Sequence, residues 1–173
     1  VKQITAWSYS RWRDYTKCPA FAKYKYVDKL PEPESPAMAR GTALHTAAEH
    51  YLKGVTSRIP PELIIIADTL RKAKKLKAVA ESQWTFNSTW SGTGWFDKDA
   101  WCRVKVDSHY MDKEFTLHVD DWKSGKPKGT YAEQCSLYSL AGLLMYPTAK
   151  KVVASLRYID VQETESVEYD ADE

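Results

Sequence analysis

At 173 residues the chain is long enough to bury one real core and short for two comfortable ones, so a single domain over 1–173 is expected. A net charge of only +2 excludes a uniformly basic nucleic-acid coat, and any such surface must come from local clustering. Cys18, Cys102 and Cys135 form no C-x-x-C pair and are odd in number, which excludes a complete disulfide scaffold; the apolar run at 63–67 is too short for a bilayer, and no signal-peptide pattern opens the chain, so a soluble cytoplasmic protein with no membrane partner is expected.

In the segment 7–30, Ser8 is a candidate N-cap for a short helix carrying Tyr9, Trp12 and Tyr15. Cys18-Pro19 breaks it and a second helix is expected to follow; Cys18 itself reads as a small apolar core residue. Arg11, Arg13, Lys17, Lys23 and Lys25 stand among aromatics there, either as phosphate contacts or as a solvated helix face. The acidic, proline-rich stretch 31–36 is a stiff connector. The alanine-rich run 37–53 then predicts a helix in which Gly41 permits close approach to a neighbour and His45 and Glu49 share a face. His50 lies five positions beyond His45, which excludes a two-histidine zinc helix of the H-E-x-x-H kind.

Pro60-Pro61 opens a further predicted helix, to about residue 80, whose second half is basic through Arg71, Lys72, Lys74, Lys75 and Lys77. That half reads either as a backbone-phosphate contact or as an ordinary charged exterior. Residues 81–90 alternate as a strand, and Gly92 and Gly94 explain themselves as turn formers. After the hairpin considered below, the basic loop 124–129 places Lys126 and Lys128 for phosphates and leads to a helix over 131–145, on which Gln134 and Tyr138 share a face. A strand is expected at 151–161, and the acidic tail 162–173 either pairs as an edge strand or frays.

The stretch 101–123 predicts two antiparallel strands, 101–110 and 115–123, with Met111, Asp112 and Lys113 in the turn. Alternation sets Cys102, Val104 and Val106 opposite Arg103, Lys105 and Asp107. In the second strand Phe115, Leu117, Val119, Asp121 and Lys123 share one parity, so an apolar stripe ends in a carboxylate and an ammonium. Residues two apart on a strand project from one face about 7 Å from each other. Asp121 and Lys123 can therefore address one substrate atom, with Asp107 on the partner strand as a second acid; Asp120 should point the other way. Two acids beside a lysine suit phosphodiester hydrolysis, in which carboxylates hold Mg²⁺ or Mn²⁺ and the lysine orients water or offsets charge.

Asp107 followed by Asp121-Trp122-Lys123 and Ser124-Gly125-Lys126 resembles the D…(D/E)-x-K core of the PD-(D/E)XK nuclease superfamily, and the wording is similar to its RecB-like branch. Gly41-Thr42-Ala43-Leu44-His45 resembles that branch's G-x-x-x-H element, and Gln134-Cys135-Ser136-Leu137-Tyr138 its Q-x-x-x-Y element. The resemblance implies metal ligation by His45, Asp107, Asp121 and the Trp122 carbonyl, water activation by Lys123, and substrate contact or site support by Gln134 and Tyr138. Without the resemblance, His45 is an ordinary hydrogen-bonded helix residue and Tyr138 a packed tyrosine. Glu81 stands where such nucleases often carry a strand-leading acid and reads as a third carboxylate or a surface residue. The cysteines required for the iron–sulfur cluster of some members do not occur after Cys135.

The resemblance implies an α/β, restriction-endonuclease-like fold, a small mixed sheet flanked by helices. It also implies Mg²⁺- or Mn²⁺-dependent cleavage of DNA, first as an exonuclease working from ends. An endonuclease, a metal hydrolase for small phosphoesters, and a catalytically silent DNA-binding or assembly module remain the alternatives. A protein partner is compatible with the sequence, which names none.

Overall fold

The computed structural model describes residues 4–127 and 132–172. The elements are α1 (Tyr9–Lys17), α2 (Pro19–Ala22), a π-helical turn (Lys23–Val27), α3 (Pro36–Leu52), a 3-10 turn (Pro61–Ile66) and α4 (Ala67–Lys75). They are followed by β1 (Val79–Phe86), β2 (Cys102–Met111), β3 (Thr116–Lys123), α5 (Ala132–Met145), β4 (Lys151–Tyr158) and β5 (Glu163–Asp170). The five strands form one mixed sheet in the order β1-β2-β3-β4-β5. The predicted α/β class is correct. By packing the chain divides into two compact units, residues 1–35 with 83–104 and residues 36–82 with 105–173.

In the first unit, Ser8 Oγ accepts the Arg11 amide at 3.4 Å and starts α1 as its sequence suggested. Cys18 corrects the expectation of a core residue. It is exposed and caps α2, its Sγ accepting the Phe21 amide at 3.5 Å, with Pro19 supplying the first helical position. A half-buried aromatic cluster marks this unit: Trp7 meets the exposed Trp101 edge-on at 5.3 Å between centroids, and Trp90 meets Trp101 at 5.4 Å. Asp14 accepts the Tyr26 hydroxyl at 2.7 Å and lies 3.5 Å from Lys25, so part of the basic dressing of this segment serves an internal acid.

The second unit carries the site. β3 and β4 run parallel, Asp121 opposite Leu156, and α5 makes the crossover that parallel strands require. β5 pairs antiparallel with β4 from Lys151↔Asp170 to Tyr158↔Glu163, so the acidic tail is an edge strand. α5 packs closely because Gly142 has no side chain: a Cβ there would lie 2.8 Å from Leu117 Cδ2. A second apolar group joins Leu44, Ala48 and Tyr51 of α3 and Leu70 and Ala73 of α4 to Tyr110 and Trp122 of the sheet. Gly41 does permit close approach, since a Cβ there would meet Ser124 Oγ at 3.3 Å.

Several predicted boundaries move. The helix expected to reach residue 80 opens as a 3-10 turn and ends at Lys75, and Ala80 belongs to β1, which stops at Phe86 and not at residue 90. In its basic half, Lys74 Nζ donates to the Tyr51 carbonyl at 2.7 Å and sits over the Tyr51 ring, so this lysine is structural. Phe115 leaves the predicted strand: it has φ +63° in the hairpin turn. Asp112 organises that turn, Oδ1 accepting the amides of Glu114 at 3.0 Å and Thr116 at 2.8 Å. β4 ends at Tyr158, short of 161. Lys128 lies outside the described residues.

Candidate active site

Asp107 is nearly buried on β2, and its two oxygens have different partners. Oδ1 lies 3.0 Å from His45 Nδ1 on α3, and Oδ2 accepts the Trp122 amide at 2.7 Å. Burial and the nearby charge of Asp121 push the Asp107 pKa up, against the opposing pull of His45 and the Trp122 amide. Burial works against a proton on His45, yet the hydrogen bond to Asp107 and the charges of Asp107 and Asp121 outweigh it, and the histidine pKa is raised.

Asp121 and Lys123 share a face as strand parity requires, with Lys123 Nζ 2.6 Å from Asp121 Oδ2. The other carboxylate oxygen, Oδ1, accepts the Tyr138 hydroxyl at 2.7 Å, and Gln134 Nε2 donates to that hydroxyl at 2.6 Å. The i, i+4 spacing on α5 therefore delivers Gln134 and Tyr138 to the acid as a chain of hydrogen bonds. Burial, first, and then the Asp121 charge hold the Tyr138 pKa well above that of an ordinary phenol, so the hydroxyl remains a donor.

Asp120 points away from this group. It is fully buried and accepts Arg157 Nε at 2.6 Å. The Trp122 indole packs into the apolar core, and its backbone amide faces Asp107. Past Lys123, the Gly125 amide donates to Asp160 at 2.6 Å; Arg40 of α3 grips the same carboxylate at 2.8 and 2.5 Å, fastening the loop that follows β3.

One ligand atom each from His45, Glu81 and Asp107 lies within 4.8 Å of the others. The sequence left Glu81 between ligand and surface residue; the structure turns it into this group. Its φ of +59°, in the left-handed region, is rare for a residue with a side chain. Glu81 also pairs with Lys105 of β2, and both line a cavity of about 340 Å³ with Thr42, His45, Thr46 and Glu49. The ion pair with Glu81, ahead of burial that opposes it, raises the Lys105 pKa. A strand-leading acid was the available signal for Glu81, and the positive φ is not legible in sequence.

An imidazole nitrogen and two carboxylate oxygens at this separation make a mixed N/O donor set, suited to a divalent cation that accepts hard oxygen ligands. The neighbouring acid–lysine pair is the arrangement expected for hydrolysis of a phosphodiester. The fold and these residues agree with the family comparison: the model of the PD-(D/E)XK nuclease superfamily matches residues 6–104, and the chain belongs to this superfamily. The matched region includes His45 and Glu81 and ends before Asp107.

Among solved structures, a protein from Eubacterium rectale described as a candidate exonuclease aligns with a TM-score of 0.57 at 12% identity, covering 97% of this chain and 74% of that one. The protein SSO0001 aligns with a TM-score of 0.44 at 15% identity, covering 98% of this chain and 69% of that one. At these identities the first likeness concerns the fold. No curated protein sequence matches the chain. Among the described residues no helix is long and apolar enough to cross a membrane.

Proposed function

We propose that the protein is a Mg²⁺- or Mn²⁺-dependent deoxyribonuclease of the RecB-like branch, acting as an exonuclease from DNA ends, and that 1–173 works as one nuclease domain. The observation that carries the reading is the meeting of His45, Glu81 and Asp107 within 4.8 Å beside the Asp121–Lys123 pair. His45, Glu81 and Asp107 would hold the ion, with Asp121 and the Trp122 carbonyl as further oxygen donors. A divalent ion bound there supplies Lewis-acid charge to the phosphoryl group and lowers the pKa of water.

The chain's own groups do the rest. Lys123, held by Asp121 at 2.6 Å, presents an ammonium that orients the attacking water and offsets negative charge as it develops on phosphorus. The Tyr138 hydroxyl, steadied by Gln134, fixes the Asp121 carboxylate so that this lysine is aimed in advance. Asp107 is tied to the sheet through the Trp122 amide and orients the His45 ring through its other oxygen. Burial and the neighbouring Asp121 charge disfavour a lone Asp107 carboxylate, and a cation bound there would offset that cost.

The test is degradation of end-labelled linear, circular and single-stranded DNA with Mn²⁺ or Mg²⁺, with chelator controls and Lys123→Ala alongside. Linear DNA should be consumed while circles survive, and Lys123→Ala should be inactive. Cleavage of circles would make the enzyme an endonuclease, and absence of metal-dependent cleavage in wild type would remove the nuclease reading.

A further inference from the structure

Lys105 stands two residues before Asp107 on β2, so both side chains leave the same face of the strand about 7 Å apart. Its ammonium is paired with Glu81, one corner of the His45–Glu81–Asp107 group, and it lines the same cavity. The side chain is 53% exposed, so its flexible stem can release the acid and turn toward solvent. Glu49, also in this cavity, already has a cation, Lys53 Nζ at 2.5 Å.

Charge gives the pair a direction. In the metal-free site Lys105 is committed to Glu81 and Asp107 is hydrogen-bonded to the His45 ring, so two acids face an incoming anionic phosphodiester. Glu81 would have to exchange the Lys105 ammonium for a divalent ion held with His45 and Asp107. An ammonium released from Glu81 would remain on the strand face it shares with Asp107, its charge turned toward an approaching phosphate.

We propose that Lys105 is a substrate-phosphate contact kept in reserve by Glu81, released when a divalent ion loads and then bound to a backbone phosphate of the nucleic acid next to the cleaved bond. The inference rests on the nuclease reading and adds a residue to it. It makes metal and substrate binding ordered, since each lysine position suits only one state of the site. A plain ion pair at this place would leave the DNA affinity and its salt slope unchanged.

The full chain and its Lys105→Met and Lys105→Arg variants test this by two binding measurements. In calorimetry with Mn²⁺ alone, Lys105→Met should bind the ion about threefold more tightly or better, because an internal competitor is gone. With Ca²⁺ as the loading ion, the same variant should bind a fluorescent DNA oligonucleotide more weakly, with the slope of log affinity against log salt reduced by about 1. Lys105→Arg should restore that slope. Unchanged or weaker Mn²⁺ binding by Lys105→Met, or an unchanged DNA affinity and slope, overturns the assignment of Lys105 alone. A wild type that takes up no Mn²⁺ overturns the nuclease reading beneath it.

Discussion

The Trp122 backbone amide donates to Asp107 Oδ2 at 2.7 Å, joining the acid of β2 to a residue whose indole is almost completely buried. The site is therefore anchored in the core through the main chain. Asp107→Asn keeps an acceptor for this amide, whereas Asp107→Ala leaves it unsatisfied at a cost of about 1–3 kcal/mol. Both variants should lose Mn²⁺ uptake and cleavage. Urea melts should rank Asn at or above wild type, because the buried charge is gone, and Ala below both.

Asp120 and Asp121 adjoin in sequence and separate in role. Removing Asp120 strands the partly buried Arg157, so Asp120→Ala should lose about 3 kcal/mol or more of stability while retaining cleavage per folded molecule. Asp121→Ala should abolish cleavage while the chain still folds. The reverse pattern, read by denaturant melts beside a nuclease assay, would mean that the lysine is served from the other face.

The Tyr138 hydroxyl acts on Asp121 without lying on the sheet. Tyr138→Phe removes one donor and leaves the ring in place, and about a 10–100-fold loss of metal affinity or rate is expected, the size typical of groups that orient ligands. A loss confined to stability would make the tyrosine a packing residue.

Glu81 adopts φ +59°, a conformation that a glycine enters without strain. Glu81→Gly should therefore abolish Mn²⁺ uptake while the metal-free protein melts at or above the wild-type temperature, a gain of up to about 1 kcal/mol. Glu81→Ala should lose the metal without that gain. Equal melts for Gly and Ala would mean that the backbone relaxes when the carboxylate leaves.

The hairpin that carries both acids should show its own acid lability. Burial opposes ionisation of Asp112, but its bonds to His118 and to the turn amides prevail and hold its pKa below the ordinary 3.8. A folded-state value below the unfolded one contributes stability above pH 3.8, lost as pH falls through the depressed value. The stability advantage of wild type over Asp112→Asn should shrink on acidification below pH 4, as followed by thermal melts.

The thiols provide a check on the fold itself. Burial pushes Cys102 to about 12 and, with the charge of Asp121, Cys135 to about 11, whereas Cys18 is exposed at a helix start. One thiol per native chain should react quickly with a disulfide reagent, and all three after unfolding.

Short-range periodicity made much of this protein legible in advance. Alternation along 102–107 and 117–123 needs only local backbone geometry, and it was enough to place Asp121 with Lys123 and to turn Asp120 away. The i, i+4 spacing likewise put Gln134 with Tyr138, and G-x-x-x-H placed His45 on a helix. Tertiary structure decided the rest, because the relevant contacts cross long sequence separations or depend on one backbone angle. Glu81 enters the site through a positive φ and meets Lys105 across the strands; Asp107 receives the Trp122 amide; and Cys18 caps a helix where its apolar character had suggested the interior. Which polar groups neutralise one another is set by the packing of β2, β3, α3 and α5, and no period of the chain encodes it.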